Sequence, residues 1–159
     1  MQPDGATVAP DETSQPSARK AMIAHHLRVG WWSLLLFLSG GLVLEAFHAF
    51  KVGFYLDVGM ESRRLMWTLA HSHGTLFAIL NIAFAATIWL TDKEPPRAWM
   101  LASRCLVAAL ILMPGGFVLA GLFIHSGDPG IAVVLVPIGG LVLLAGVLGV
   151  ARGLAPRRG

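Results

Sequence analysis

Glu45, His48, His71, His73 and His125 are the residues of this chain best equipped to ligate a metal or carry a proton, and all lie in or beside long apolar stretches. Glu45 and His48 are three apart, so a helix would place them on one face, with Gly41 leaving room beside them. His71 and His73 are two apart, about 200° around a regular helix, and do not converge on one ion. Pro114, Val118, Gly121 and His125 share a further face. Three uses compete for these groups. Histidines from two helices at similar depth can hold a haem b, with glycine making room for the ring. Glu45, His48, His71 and His125 would instead make a site for a single transition-metal ion such as zinc, iron, copper or manganese. Glu45 would then be a ligand or a hydrogen-bond partner orienting a histidine. The third use is a hydrogen-bonded network without ligand that fixes helix packing. A di-iron centre is disfavoured, because it needs two Glu-x-x-His pairs and two more helix glutamates, and the spans hold no second glutamate.

The elements that carry these groups are four apolar stretches, 29–50, 65–90, 98–124 and 131–151. Crossing the roughly 30 Å hydrocarbon core takes about 20 apolar residues. No period-2 alternation marks membrane strands, and backbone groups in lipid must be satisfied within the segment, so the spans are helices. The expected fold is all-α: a polytopic membrane protein built as a four-transmembrane-helix antiparallel bundle, residues 29–151. Four spans put both termini on one side. Nine of the lysines and arginines fall on that side and three on the other, a positive-inside bias that predicts cytoplasmic termini in a bacterial plasma (inner) membrane. Glu45, His48, His71, His73, His125 and Asp128 then gather toward the outer leaflet, where ionisable groups face the bundle and mark function.

On the second span, Trp67, His71, Gly74, Ala78, Asn81 and Ala85 form a small, polar stripe expected to face protein. His73, Phe77, Leu80, Phe84 and Ile88 form a bulky, nearly opposite stripe expected to face lipid. His71 is therefore the first choice of ligand, then His48, with His73 and His125 next. Pro114 and Pro137 are each expected to kink a helix, and the paired glycines near mid-span to let helices approach closely.

Outside the spans, residues 1–17 are polar, rich in Pro, Ser and Thr, and expected to be disordered. Residues 18–28 suit a short interfacial helix with His25 and His26 on its wet face. Asp57, Glu61, Arg63 and Arg64 suit local surface pairing in the loop 51–64. Residues 152–159 form a basic tail. The single cysteine, Cys105, excludes an internal disulfide. The net charge of +3 is accounted for by the flanks of the spans, so no nucleic-acid partner is implied. The expected partners are the lipid bilayer and a membrane protein or a second copy of the chain. No Walker loop, Ser/His/Asp arrangement or CxxC pair points to an enzyme.

The run LAHSHGTLFAILNIAFA, with His73-Gly74-Thr75 opening an apolar helix, resembles the second helix of heme–copper oxidase catalytic subunits. The His-x-His pattern is similar to that of the related nitric oxide reductase subunits. The resemblance implies that His73 is an axial ligand to a low-spin haem. It covers about 17 residues, and the chain departs from that family in having four spans rather than about twelve and no histidine set for a copper centre. The chain also resembles small four-helix bacterial membrane proteins with a His-x-His-Gly helix, a similarity that implies no activity. The expected role is thus a small subunit or accessory protein with an outward-side haem b or metal site in an electron-transfer setting. The alternative is a structural or assembly protein whose His/Glu cluster only fixes helix packing.

Overall fold

The computed structural model of the protein describes residues 18–91 and 94–155. The N-terminal tail, 1–17, and the last four residues of the basic tail lie outside them. Four long helices carry the structure: α1 (Ala18–Ala49), α3 (Glu61–Thr91), α4 (Arg97–Leu122) and α5 (Leu135–Leu154), with a four-residue helix α2 (Gly53–Leu56) between the first two. Four helical segments are long and apolar enough to cross a membrane, the last being Ile131–Leu154, where a 3-10 turn runs into α5. The segment 18–28 is continuous with the first span in one 32-residue helix.

The helices form a row. α1 packs on α3, α3 on α4, and α4 on α5, while α1 and α4 touch only slightly and α1 and α5 share no comparable interface. Connections are short, so neighbours in sequence are antiparallel, and α1 and α4 run in the same direction. We call the end holding Ala18 and Leu154 the terminal end and the opposite one the far end. α1 and α5 are mostly exposed along their apolar lengths, whereas α3 and α4 are far more buried. The exposed faces are almost wholly apolar, Trp32, Leu36 and Leu42 on α1 and Leu141 and Leu144 on α5 among them. Apolar faces this extensive suit hydrocarbon, not water.

α3 is central and corrects the expected lipid-facing stripe. Gly74, Ala78, Asn81 and Ala85 are buried, and so are Phe77, Phe84 and Ile88 from the supposed outer face. The first set meets α1, where Phe37 lies over Gly74. The second meets α4, where Phe84 packs edge-on to Trp99. A third direction, Leu65, Leu76, Ile79 and Leu90, is the exposed one.

Each helix end has a local cause. α1 stops in a Schellman arrangement, with Val52 N–H donating to Phe47 O (2.9 Å) and Lys51 N–H to His48 O (3.2 Å). Lys51 takes the left-handed position (φ 50°) that glycine usually fills. Between α4 and α5, Ser126 and Gly127 both have positive φ (53° and 87°), and His125 and Asp128 exchange backbone hydrogen bonds of 3.1 and 2.9 Å. That is a type I′ reversal. Pro114 is buried inside α4, but Pro137 falls in the first turn of α5. No intrahelical N–H bond is lost there, so the expected mid-span kink at Pro137 does not arise. Arg63, expected in a surface ion pair, is buried. Its Nε donates to Gly121 O (3.1 Å) at the end of α4, its Nη1 donates to Phe54 O (3.0 Å), and its guanidinium lies 3.9 Å from the Phe54 ring centre. A helix C-terminus leaves carbonyls free, and a cation satisfies them well. Arg64 pairs with Glu61 instead, at 3.8 Å.

His26 is also inside, not wet: it is 0% exposed. Its Nδ1 lies 2.7 Å from Asn81 Oδ1 on α3, and its Nε2 lies 2.7 Å from Ser103 Oγ on α4. Asn81 Nδ2 donates to Phe77 O (2.9 Å), so Asn81 Oδ1 must be the acceptor. His26 therefore donates from Nδ1, and in the neutral ring Ser103 donates to Nε2. One imidazole ties three helices together with both ring nitrogens satisfied. His26→Ala is expected to destabilise by about 1–3 kcal/mol, the usual range for leaving a buried polar partner unpaired, while His26→Gln, which can still donate and accept, loses less. Thermal unfolding in mild detergent, followed by helical circular dichroism, checks the order wild type, Gln, Ala.

Candidate functional site

At the far end, α1 and α3 enclose a pocket of about 490 Å³ lined by Gly41, Glu45, His48, Tyr55, Thr68 and His71, with Leu38, Leu42 and Leu44 completing its wall. The helical spacing explains the α1 side: Gly41, Glu45 and His48 recur on one face. His71 comes from the α3 face that meets α1. Tyr55, on the short helix α2, is buried. It stacks nearly parallel to Trp67 (ring centres 6.4 Å apart, 15° between planes), and His48 meets its ring edge-on at 6.4 Å. The Schellman reversal at Lys51 is what brings Tyr55 back to the pocket.

His71 is the most constrained member. Its Nδ1 lies 2.7 Å from Phe37 O. A carbonyl only accepts, so Nδ1 carries a proton, and in the neutral ring Nε2 is the nitrogen that keeps a lone pair. A second hydrogen-bond partner of this kind fixes the tautomer and orientation of a ligating imidazole. A side chain at Gly41 would overlap the His71 ring, so Gly41 is the clearance that admits the imidazole. Glu45 and His48 are exposed and line the same pocket. One turn along α3 from His71, Thr75 Oγ1 is buried without a hydrogen-bond partner.

Thus Glu45, His48 and His71 share a pocket, and His73 and His125 do not join them. His73 Nδ1 donates to Leu69 O of its own helix (2.9 Å), and its ring lies 5.2 Å from the Phe117 ring, between α3 and α4. His125 sits on the exposed reversal after α4. Among the described residues no group of three or more His, Cys, Asp or Glu is close enough together to hold a metal ion. Tyr55 and Thr68 were not among the expected site residues. Tyr55 lies in a loop segment whose return over the pocket depends on Lys51 adopting a positive φ, which no local pattern in KVGFYLD announces. Thr68 is three residues before His71, and this i, i+3 spacing was the signal that could have found it.

Gly41→Ala is expected to lose about 1–3 kcal/mol by overpacking against the His71 ring. Because the clash is with that ring, Gly41→Ala should cost little once His71→Ser has removed it. A double-mutant cycle read by thermal unfolding measures this coupling, and equal losses in both backgrounds would show that the ring is not what Gly41 accommodates. No protein-family model matches the chain, and no curated protein or solved structure matches it, so the reading of its role rests on this geometry.

Proposed function

We propose that this protein is a small subunit or accessory protein of a membrane electron-transfer system, that it binds a haem b in the far-end pocket, and that Nε2 of His71 is the ligand. The observation that carries the reading is the His71–Phe37 hydrogen bond. It commits Nδ1 and leaves a lone-pair nitrogen on a helix beside a pocket of about 490 Å³. That volume lies in the range of small-molecule and cofactor sites, roughly 300–1,000 Å³. It exceeds what a bare ion needs, and the described residues offer no three-donor group. The leucines of the α1 wall suit the faces of a macrocycle. Glu45 and His48 suit its polar edge or the second axial position, and the orphan Thr75 hydroxyl is one more polar group close to His71. In this reading His71 replaces His73, the position matching the oxidase-type histidine, because His73 is packed against Phe117.

The second reading is a packing or assembly role. It is favoured by the fact that the bond to Phe37 O already joins α1 to α3 without any ligand. The two readings part in one experiment. The full chain, purified in mild detergent from cells supplied with haem precursor, is expected to show a Soret band that shifts on dithionite reduction. His71→Ala should abolish the band and His48→Ala weaken it, with both variants still inserted. A colourless, metal-free wild-type protein would favour the packing role, and a stoichiometric metal without a Soret band would favour an ion at Glu45, His48 and His71.

The same reading places both termini in the cytoplasm of a bacterium and the far end outside, on the Lys and Arg asymmetry. Ser126→Cys at the exposed reversal is then expected to react with a membrane-impermeant maleimide in intact cells, while a carboxy-terminal tag becomes accessible only after lysis.

A further inference from the structure

A second cleft, distinct from the His71 pocket, runs along the opposite part of the row. It measures about 720 Å³ and lies between α1 and α4, lined by Arg28, Trp32, Leu36, Val107, Ile111 and Val118 among others. Its origin is in the packing already described. The His26–Ser103 bond draws α1 and α4 together at one height. Beyond it α1 leans onto α3, where Phe37 settles over Gly74, and α4 presents Pro114 and Gly115 to the gap. A side chain built at Gly115 would meet nothing within 4 Å.

The charge of the cleft is one-sided. Arg28 is the one charged residue in its lining, and its Nε donates to Ala24 O (3.3 Å), which holds the guanidinium at the mouth. Helical spacing puts Arg104 on the same α4 stripe as Val107, Ile111 and Gly115, and Arg104 is exposed. Because α1 and α4 run in the same direction and His26 meets Ser103, Arg28 and Arg104 stand at nearly the same height, one on each wall. From Arg28 to Phe37 the α1 wall runs about 14 Å at the usual helical rise, close to half of a 30 Å hydrocarbon core.

We infer that this cleft is a binding site for an anionic phospholipid of the leaflet at the terminal end, its phosphate held between Arg28 and Arg104 and an acyl chain laid along Trp32, Leu36 and Ile111. The inference needs the chain to span a bilayer and is independent of whether the His71 pocket holds haem. An anionic headgroup is selected because Arg28 lines the mouth, Arg104 stands at nearly the same height on α4, and no carboxylate lines the cleft. The apolar length selects a lipid over a free phosphate.

The test is native mass spectrometry of the full-length protein in mild detergent, titrated with phosphatidylglycerol or phosphatidylcholine. Wild type is expected to retain phosphatidylglycerol in preference. Arg28→Gln and Arg104→Gln should each weaken that retention about fivefold, and together about 25-fold, on the scale of one surface cation near an anionic lipid. Both should alter phosphatidylcholine less, because its quaternary ammonium offsets the charge of its phosphate. Gly115→Leu, which fills the cleft, should weaken both lipids. On the unsubstituted protein, raising ionic strength should erode the preference, since exposed charges are screened. Equal retention of the two lipids, an unchanged preference in the double variant, indifference to Gly115→Leu or to salt, or displacement by glycerol 3-phosphate alone would each overturn the inference. Because the salt series and the headgroup competition use wild type, poor folding of a variant leaves the test decisive.

Discussion

The arrangement depends on one buried histidine hydrogen-bonded through both ring nitrogens. His26 meets Asn81 and Ser103 at 2.7 Å each, and the Asn81 amide is itself satisfied by Phe77 O. Apolar burial between helices offers little net attraction in lipid, since the tails are as apolar as the side chains, so such bonds and close packing set the register. A second bond, His71 to Phe37 O, fastens the same two helices nearer the far end. The two fastenings are ten residues apart on α3 and eleven on α1, about 15 and 16 Å at the usual rise. The near equality is what two helices running close to antiparallel require. With α1 fixed to α3 at two heights and to α4 at one, the space left at the far end becomes the His71 pocket. The space left beside α4 becomes the lipid-facing cleft.

Both features use small residues as clearance. Gly41 admits the His71 imidazole and Gly74 admits the Phe37 ring, so His71 is held from the side by shape and from Nδ1 by a carbonyl. Tyr55 closes the pocket because Arg63 is bonded both to the α2 segment and to the last turn of α4. The far end is therefore built across four elements, although the pocket itself is lined by three.

The four long apolar helices were legible from the sequence because a run of about 20 apolar residues has few other uses. The short connections made the neighbours antiparallel, as observed. The face assignments were less legible. Phe77, Phe84 and Ile88 look like lipid-facing residues if a helix has one inner and one outer face. α3 has two inner faces because it lies inside a row, and hydropathy alone does not separate a side chain buried against α4 from one dissolved in hydrocarbon. His26 was misplaced for a related reason: its partners are 55 and 77 residues away, so no local pattern reveals them. The grouping of Glu45 and His48 was readable from i, i+3 spacing, and His71 was singled out by its small, polar neighbours. The separation of His73 was readable only as a difference in direction.

The position of His26 near the start of α1 also bears on how the protein is made. Asn81 follows 55 residues later and Ser103 77 residues later. At about 5–20 residues per second, the first helix exists for roughly 3–11 s before its α3 partner is synthesised, and longer before Ser103 completes the set. Throughout that interval the imidazole has only water or the insertion machinery to satisfy it. The residue that joins the finished row is thus made well before either of its partners. The row can lock only after Ser103 has been made, so the tie that orders the first helix waits for the third long one.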